Sequence, residues 1–267
     1  MTSPLRAPER FALEKWYVDV VEPDGSATIA YWASLTWMGV DITWHSACCY
    51  ALGSAPDERS SLRRVPPPSV VDGRVSWASK RLELETVHDP TTAGVTVTLL
   101  DDARGRLTWD CLAPAAKVRA VCDGAIRKGT GYAERLIMTA LPWELPIDEL
   151  RWGRWMSDDA SQSLVWIDWR GASPRRWVVH NGAMCDDASV GNDGVALAAG
   201  QLALGVPRTL HNRSVGKLLR GIPGLARLAA HVPIAWEETK WCSRASWTNA
   251  AGEQAQGWAI HEIVRLK

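Results

Sequence analysis

Strand-length runs of aromatic and β-branched residues recur from Trp16 to Leu266, broken at short intervals by turn signals, and only one stretch has helical spacing. Trp16–Val21, Ala27–Met38 and Val40–Leu52 form an expected meander, turning at Pro23-Asp24-Gly25 and near Gly39. Gly94–Leu100 and Arg106–Leu112 read as a hairpin around Asp101–Gly105. Further strands are expected at Gly131–Met138, Leu150–Met156, Leu164–Trp169, Arg176–Asn181, Val195–Leu204, Ala235–Thr248 and Gly257–Leu266. The segment Ala55–Ser69, with its charge cluster and Pro66-Pro67-Pro68, is expected as a surface loop, because three prolines cannot sit in a ladder. The helical spacing falls on Val215, Leu218, Leu219, Ile222, Leu225 and Leu228, which predicts one short helical segment near 213–229. The fold class is therefore all-β: two tandem antiparallel barrels or sandwiches, divided as 1–141 and 142–267.

Of the 267 residues 46% are apolar and 22% charged, enough for a sizeable core and inconsistent with a disordered chain. Thirty basic residues balance thirty acidic ones, which argues against nucleic-acid binding by bulk charge. No segment has the length and apolarity of a signal peptide or a membrane span, and the six cysteines contain no CxxC. These features predict a cytoplasmic protein with free thiols. The basic stretch Arg208–Arg227 leaves open a peripheral contact with anionic lipid.

No nucleotide loop, GxSxG or HExxH motif is present, and the six histidines are far apart, so no metal is expected. The composition is unusual in its rings: sixteen of 21 aromatic residues are Trp and one is Phe. Strand alternation puts Tyr132 with Glu134, Trp152 with Arg154, and Trp166 with Asp168. If all three pairs face one cavity, they set carboxyl groups among aromatic rings, where the charged form is disfavoured and proton donation is favoured. The competing structural reading is a buried ion pair of Arg154 with Glu134 or Asp168 that fixes the barrel. His261 and Glu262 point to opposite faces of the last strand, so at most one reaches a cavity, and both are assigned structural roles.

Several short motifs, in order, resemble the acyclic carotenoid hydratases (hydroxyneurosporene synthases) and their lipocalin-like relatives, which include tocopherol cyclases and fungal Diels–Alderases. They are Trp16-Tyr17-Val18-Asp19, Trp109–Pro114, Gly129-Thr130-Gly131-Tyr132-Ala133-Glu134, Trp152–Trp155, Val165–Asp168, Val206–Thr209 and Gly257–Glu262. The resemblance implies a two-domain lipocalin-like fold, an apolar small-molecule substrate, and cofactor-free chemistry on a carbon–carbon double bond. It implies functional roles for Tyr132, Glu134 and Trp109. Leu107 stands where the hydratases place a histidine two residues before the Trp, and the acid is Glu rather than Asp. Both departures favour cyclisation over strict hydration.

Protonating an alkene leaves a carbocation, and Trp is the best aromatic partner for a cation. The expected enzyme is thus an acid-initiated cyclase or hydratase of a polyene or isoprenoid. Its catalytic candidates are Glu134, Tyr132 and Asp168. Trp44, Trp109, Trp152, Arg154 and Trp166 are expected to bind substrate. The alternatives are a pericyclase, which needs shape more than an acid, and a lipid carrier without catalysis.

Overall fold

A computed structural model describes residues 11–214 and 236–266. The chain forms two antiparallel sheets, of ten and nine strands, and the described helical content is one 3-10 turn at Pro142–Glu144. The first sheet holds β1 (Ala12–Val21), β2 (Ala27–Trp37), β3 (Val40–Tyr50), β4 (Asp57–Ser61), β5 (Ser69–Val71), β6 (Arg74–Ser79), β7 (Leu84–Pro90), β8 (Val95–Asp102), β9 (Gly105–Cys122) and β10 (Ala125–Met138). The second holds β11 (Glu149–Ser157), β12 (Ser163–Arg170), β13 (Arg175–His180), β14 (Ala183–Cys185), β15 (Ser189–Val190), β16 (Gly194–Leu197), β17 (Gly200–Ser214), β18 (Glu237–Asn249) and β19 (Gln254–Arg265). Both sheets follow one plan: each pairs its first strand with its last, β1 with β10 and β11 with β19. The all-β class and the presence of two antiparallel sheets follow the expectation.

Local chemistry sets the turns. Met38-Gly39, Asp123-Gly124 and Asn181-Gly182 are two-residue hairpin loops in which both residues have positive φ, the conformation that matches the twist of the flanking strands. Ser26 N–H donates to Asp24 Oδ1 at 2.8 Å, closing the turn before β2. On β9, Leu112–Ala115 separates the part paired with β8 from the part paired with β7, and Pro114 stands in that gap without an N–H to donate. Opposite it, the β9–β10 register shifts around Tyr132, a bulge that bends both strands.

The charged segment expected as loop is partly strand: Asp57–Ser61 is an edge strand on β3, where alternating charge is compatible with one exposed face. The prolines beyond it remain outside the sheet. Their loop is pinned by the indole N–H groups of Trp32, which donates to Val65 O (3.0 Å), and Trp77, which donates to Pro66 O (3.1 Å). β6 and β7 were not anticipated. The expected helix at 213–229 lies outside the described residues except for Arg213 and Ser214, which continue β17.

Apolar residues collect in three cores. Trp16, Val18, Val20, Ala30, Trp32 and Val118 fill the curl of the first sheet. Trp155, Leu164, Trp166, Val178, Leu202 and Trp247 fill that of the second. The third core, with Tyr17, Trp109, Tyr132, Trp152, Ile167 and Trp169, lies between the sheets. It contains the cavity, which therefore lies between the two curled sheets.

Candidate functional site

Residues directly opposite on antiparallel strands share a face, so the registers define rows of side chains across each sheet. The lowest row of the first sheet is Tyr132–Asp19–Ile29, and it faces Arg154–Ile260–Cys242 of the second. Asp19 and Arg154 meet across the gap in a two-pronged pair: Nε donates to Oδ2 at 3.0 Å and Nη2 to Oδ1 at 2.5 Å, with neither side chain exposed. Tyr17 OH donates to Asp19 Oδ2 at 2.8 Å, and Arg154 Nη1 donates to Trp258 O at 3.1 Å. This layer is the floor.

One row higher, Cys111–Glu134–Tyr17–Tyr31 faces His211–Lys240–Glu262–Trp152–Ile167. Above that, Trp109–Leu136–Lys15–Ala33–Trp44 faces Arg213–Glu238–Val264–Leu150–Trp169. Higher rows are apolar, with Leu13, Leu35, Leu107 and Met138. The enclosed volume is about 420 Å³, in the range of small-molecule sites. Seven of the sixteen tryptophans line it: Trp37, Trp44, Trp109, Trp143, Trp152, Trp169 and Trp236.

Three donors converge on one oxygen of Glu134. Trp109 Nε1 reaches Oε2 at 2.7 Å, Tyr132 OH at 2.7 Å and Trp152 Nε1 at 3.2 Å. Indole N–H groups only donate, so Oε2 must accept from both tryptophans. Among the described residues, Oε1 has no hydrogen-bond partner and no cation pairs with this carboxyl. Burial pushes the Tyr132 phenol well above its ordinary pKa, so it keeps the proton that it donates.

Arg154 pairs with Asp19, not with Glu134 or Asp168. Its place is in the floor, beneath the cavity wall it was expected to form. Trp166 and Asp168 are on the wrong face of β12. Trp166 packs in the second curl against Gly153, and Asp168 accepts from Arg170 (2.8 Å) and Arg176 (2.9 Å) away from the cavity. The face that meets the cavity is Ile167 and Trp169, because Trp152 pairs with Ile167 in register. Alternation within each strand was read correctly, but the faces of different strands are related only by register.

A second polar group was missed. Lys240, fully buried, donates to Glu262 and lies 3.9 Å from Glu238. Its ammonium is 5.0 Å from the Trp152 ring centre and 5.2 Å from that of Tyr17. Burial alone would lower the Lys240 pKa, but Glu262, Tyr31 and Glu238 outweigh it and hold the lysine charged. His211 Nε2 is 2.8 Å from Glu238 Oε1, while its Nδ1 faces Tyr50 OH (2.8 Å) and Arg213 Nη2 (2.9 Å). Arg213 can only donate, so Nδ1 accepts and Nε2–H donates to Glu238. Burial lowers the His211 pKa, consistent with that neutral form. Glu262 thus reaches the cavity, and His261 points the other way, stacked on Trp241 and bonded to Ser243. The i,i+2 spacing of His211/Arg213 and Glu238/Lys240 carried the signal, but on a strand it equally describes a solvated face. Among the described residues, no cluster of His, Cys, Asp and Glu is arranged for a metal.

No known protein family and no curated protein matches the chain in sequence. Solved structures do. CghA superposes with a TM-score of 0.55 at 12% identity over 96% of this chain and 89% of that one. Kievitone hydratase from Nectria haematococca superposes with a TM-score of 0.54 at 10% identity over 95% and 88%. At such identities the likeness establishes the fold alone, a pair of curled antiparallel sheets shared over nearly the whole chain.

Proposed function

We propose that the protein is an enzyme that protonates a carbon–carbon double bond of an apolar polyene or isoprenoid, with Glu134 as the acid, and then cyclises or hydrates the cation. The observation that carries this reading is the convergence of three neutral donors on Oε2 of Glu134, a cavity-lining residue whose Oε1 has no hydrogen-bond partner among the described residues. In this step a proton passes from Oε1 to an alkene carbon, whose π pair forms the new C–H bond. Negative charge then develops on a carboxylate already held by three N–H and O–H dipoles, whose hydrogen bonds strengthen as the charge grows. The cation left on the substrate lies among the rings of Trp109, Trp152 and Trp44, each worth about 0.5–2 kcal/mol to a cation. An internal double bond or a water molecule quenches it, and the proton then lost returns to Glu134. Tyr132 positions the acid. The shared fold with a hydratase supports the reaction class.

The test is Glu134→Gln assayed on a panel of polyenes and linear isoprenoids. Glutamine keeps the shape and removes the proton, so turnover should fall by about 10²–10⁴-fold with ligand binding retained. A folded variant with full turnover would overturn the acid role and favour the pericyclase. Ligands bound by the wild type and recovered unchanged across the panel would favour the carrier.

A further inference from the structure

The cations that face the cavity differ in one respect. Lys240 is held by Glu262, and Arg213 by Glu58 at 2.8 Å. Lys15 also lines the cavity, with its ammonium 5.1 Å from the Tyr31 ring centre; Glu238 and Glu262 feel its charge, yet among the described residues no carboxylate comes within 4.0 Å of it to form an ion pair. Filling the cavity with an apolar molecule expels the water around that ammonium. Lys15 is half-buried, and the two carboxylates that feel its charge are directly engaged elsewhere, Glu238 by His211 and Glu262 by Lys240, so a molecule that brings its own acceptor gives the ammonium the direct partner it lacks. A ring face beside Lys15 offers only partial compensation.

We propose that Lys15 is a recognition site for an acidic oxygen at one end of an otherwise apolar ligand, a carboxylate or an ionised enol, so that the substrate is an amphipathic polyenoic acid and not a bare hydrocarbon. This rests on the reading of the cavity as a substrate site. Lys15 is one strand over from Glu134 and one row higher, roughly 7–8 Å away on strand geometry. The apolar remainder runs up the wall toward Leu35 and Trp37.

The experiment uses cis-parinaric acid, a conjugated polyenoic acid, and its methyl ester, with binding followed by quenching of the cavity tryptophans. Wild-type protein should bind the acid at least tenfold more tightly than the ester. Lys15→Met should bring the two affinities within about threefold of each other by weakening the acid alone, and Lys15→Arg should keep the preference. Equal affinities in the wild type, a preference that survives in Lys15→Met, or no binding of either probe would overturn the proposal. Glu134→Gln should leave the preference unchanged, so loss of turnover in that variant and loss of acid selectivity in Lys15→Met report separately on the two readings.

Discussion

Glu134 shows how one carboxyl is given a direction. Its Oε2 is fixed by Trp109, Tyr132 and Trp152, which come from three different strands, so the acid is aimed by β9, β10 and β11 together. Removing one donor should loosen the aim without removing the proton. Trp109→Phe is expected to cut kcat by about tenfold, near 1.4 kcal/mol, with KM little changed. Steady-state kinetics on any substrate found for the wild type checks this. The buried histidines act at the same scale. Burial, with Lys240 nearby, lowers the His261 pKa to about 4, and burial lowers that of His88 as well. As pH falls below about 6.5 the unfolded chain takes up protons that the folded one refuses. Stability is therefore full above pH 6.5 and drains away toward pH 4, by roughly 3 kcal/mol for His261 alone. Urea unfolding at pH 7.5, 6 and 4.5 should show the loss, and His261→Gln should flatten it.

At the scale of elements, the bulge on β9–β10 and the glycine on β11 matter most. Tyr132 and Glu134 share a face by plain alternation, and the bulge opposite them on β9, where Pro114 interrupts the ladder, sets the acid at a bend and not on a flat strand. Gly153 lets the Trp166 ring lie flush on β11, since a Cβ there would stand 2.2 Å from a ring carbon. Gly153→Ala should overpack the second curl and cost about 1–3 kcal/mol, read as a lower denaturant midpoint at unchanged m. Because Trp166 faces away from the cavity, ligand affinity in the folded variant should not change.

For the molecule as a whole, the Asp19–Arg154 pair is a charged link between the sheets that is buried on both sides. Both partners are fully buried, so removing one strands the other: Arg154→Met should destabilise by about 3–5 kcal/mol. Replacing both, as Asp19→Leu with Arg154→Met, should cost less than the single change, because no orphaned charge remains. Equilibrium unfolding of the single and double variants measures the coupling. The described basic residues of the stretch considered for lipid contact are already engaged within the fold. Arg208 donates to Gly25 O and Tyr50 O, and Arg213 pairs with Glu58.

The amino-acid sequence determined the all-β class, the hairpins at Gly25 and Gly39, and the same-face pairing of Tyr132 with Glu134. Each depends on contacts or dihedrals within a few residues. It also marked the Trp excess, seven of whose members line the cavity. The tertiary structure alone decided which faces meet. Register turned Trp152 toward Glu134 and Trp166 away from it, and it brought Asp19 to Arg154 across 135 positions. It also assembled Lys240, Glu262, Glu238 and His211 from three strands into one row and its neighbour. A period of two says which residues of a strand travel together. Which side of the sheet they face is fixed by burial and pairing over distances that no local pattern encodes.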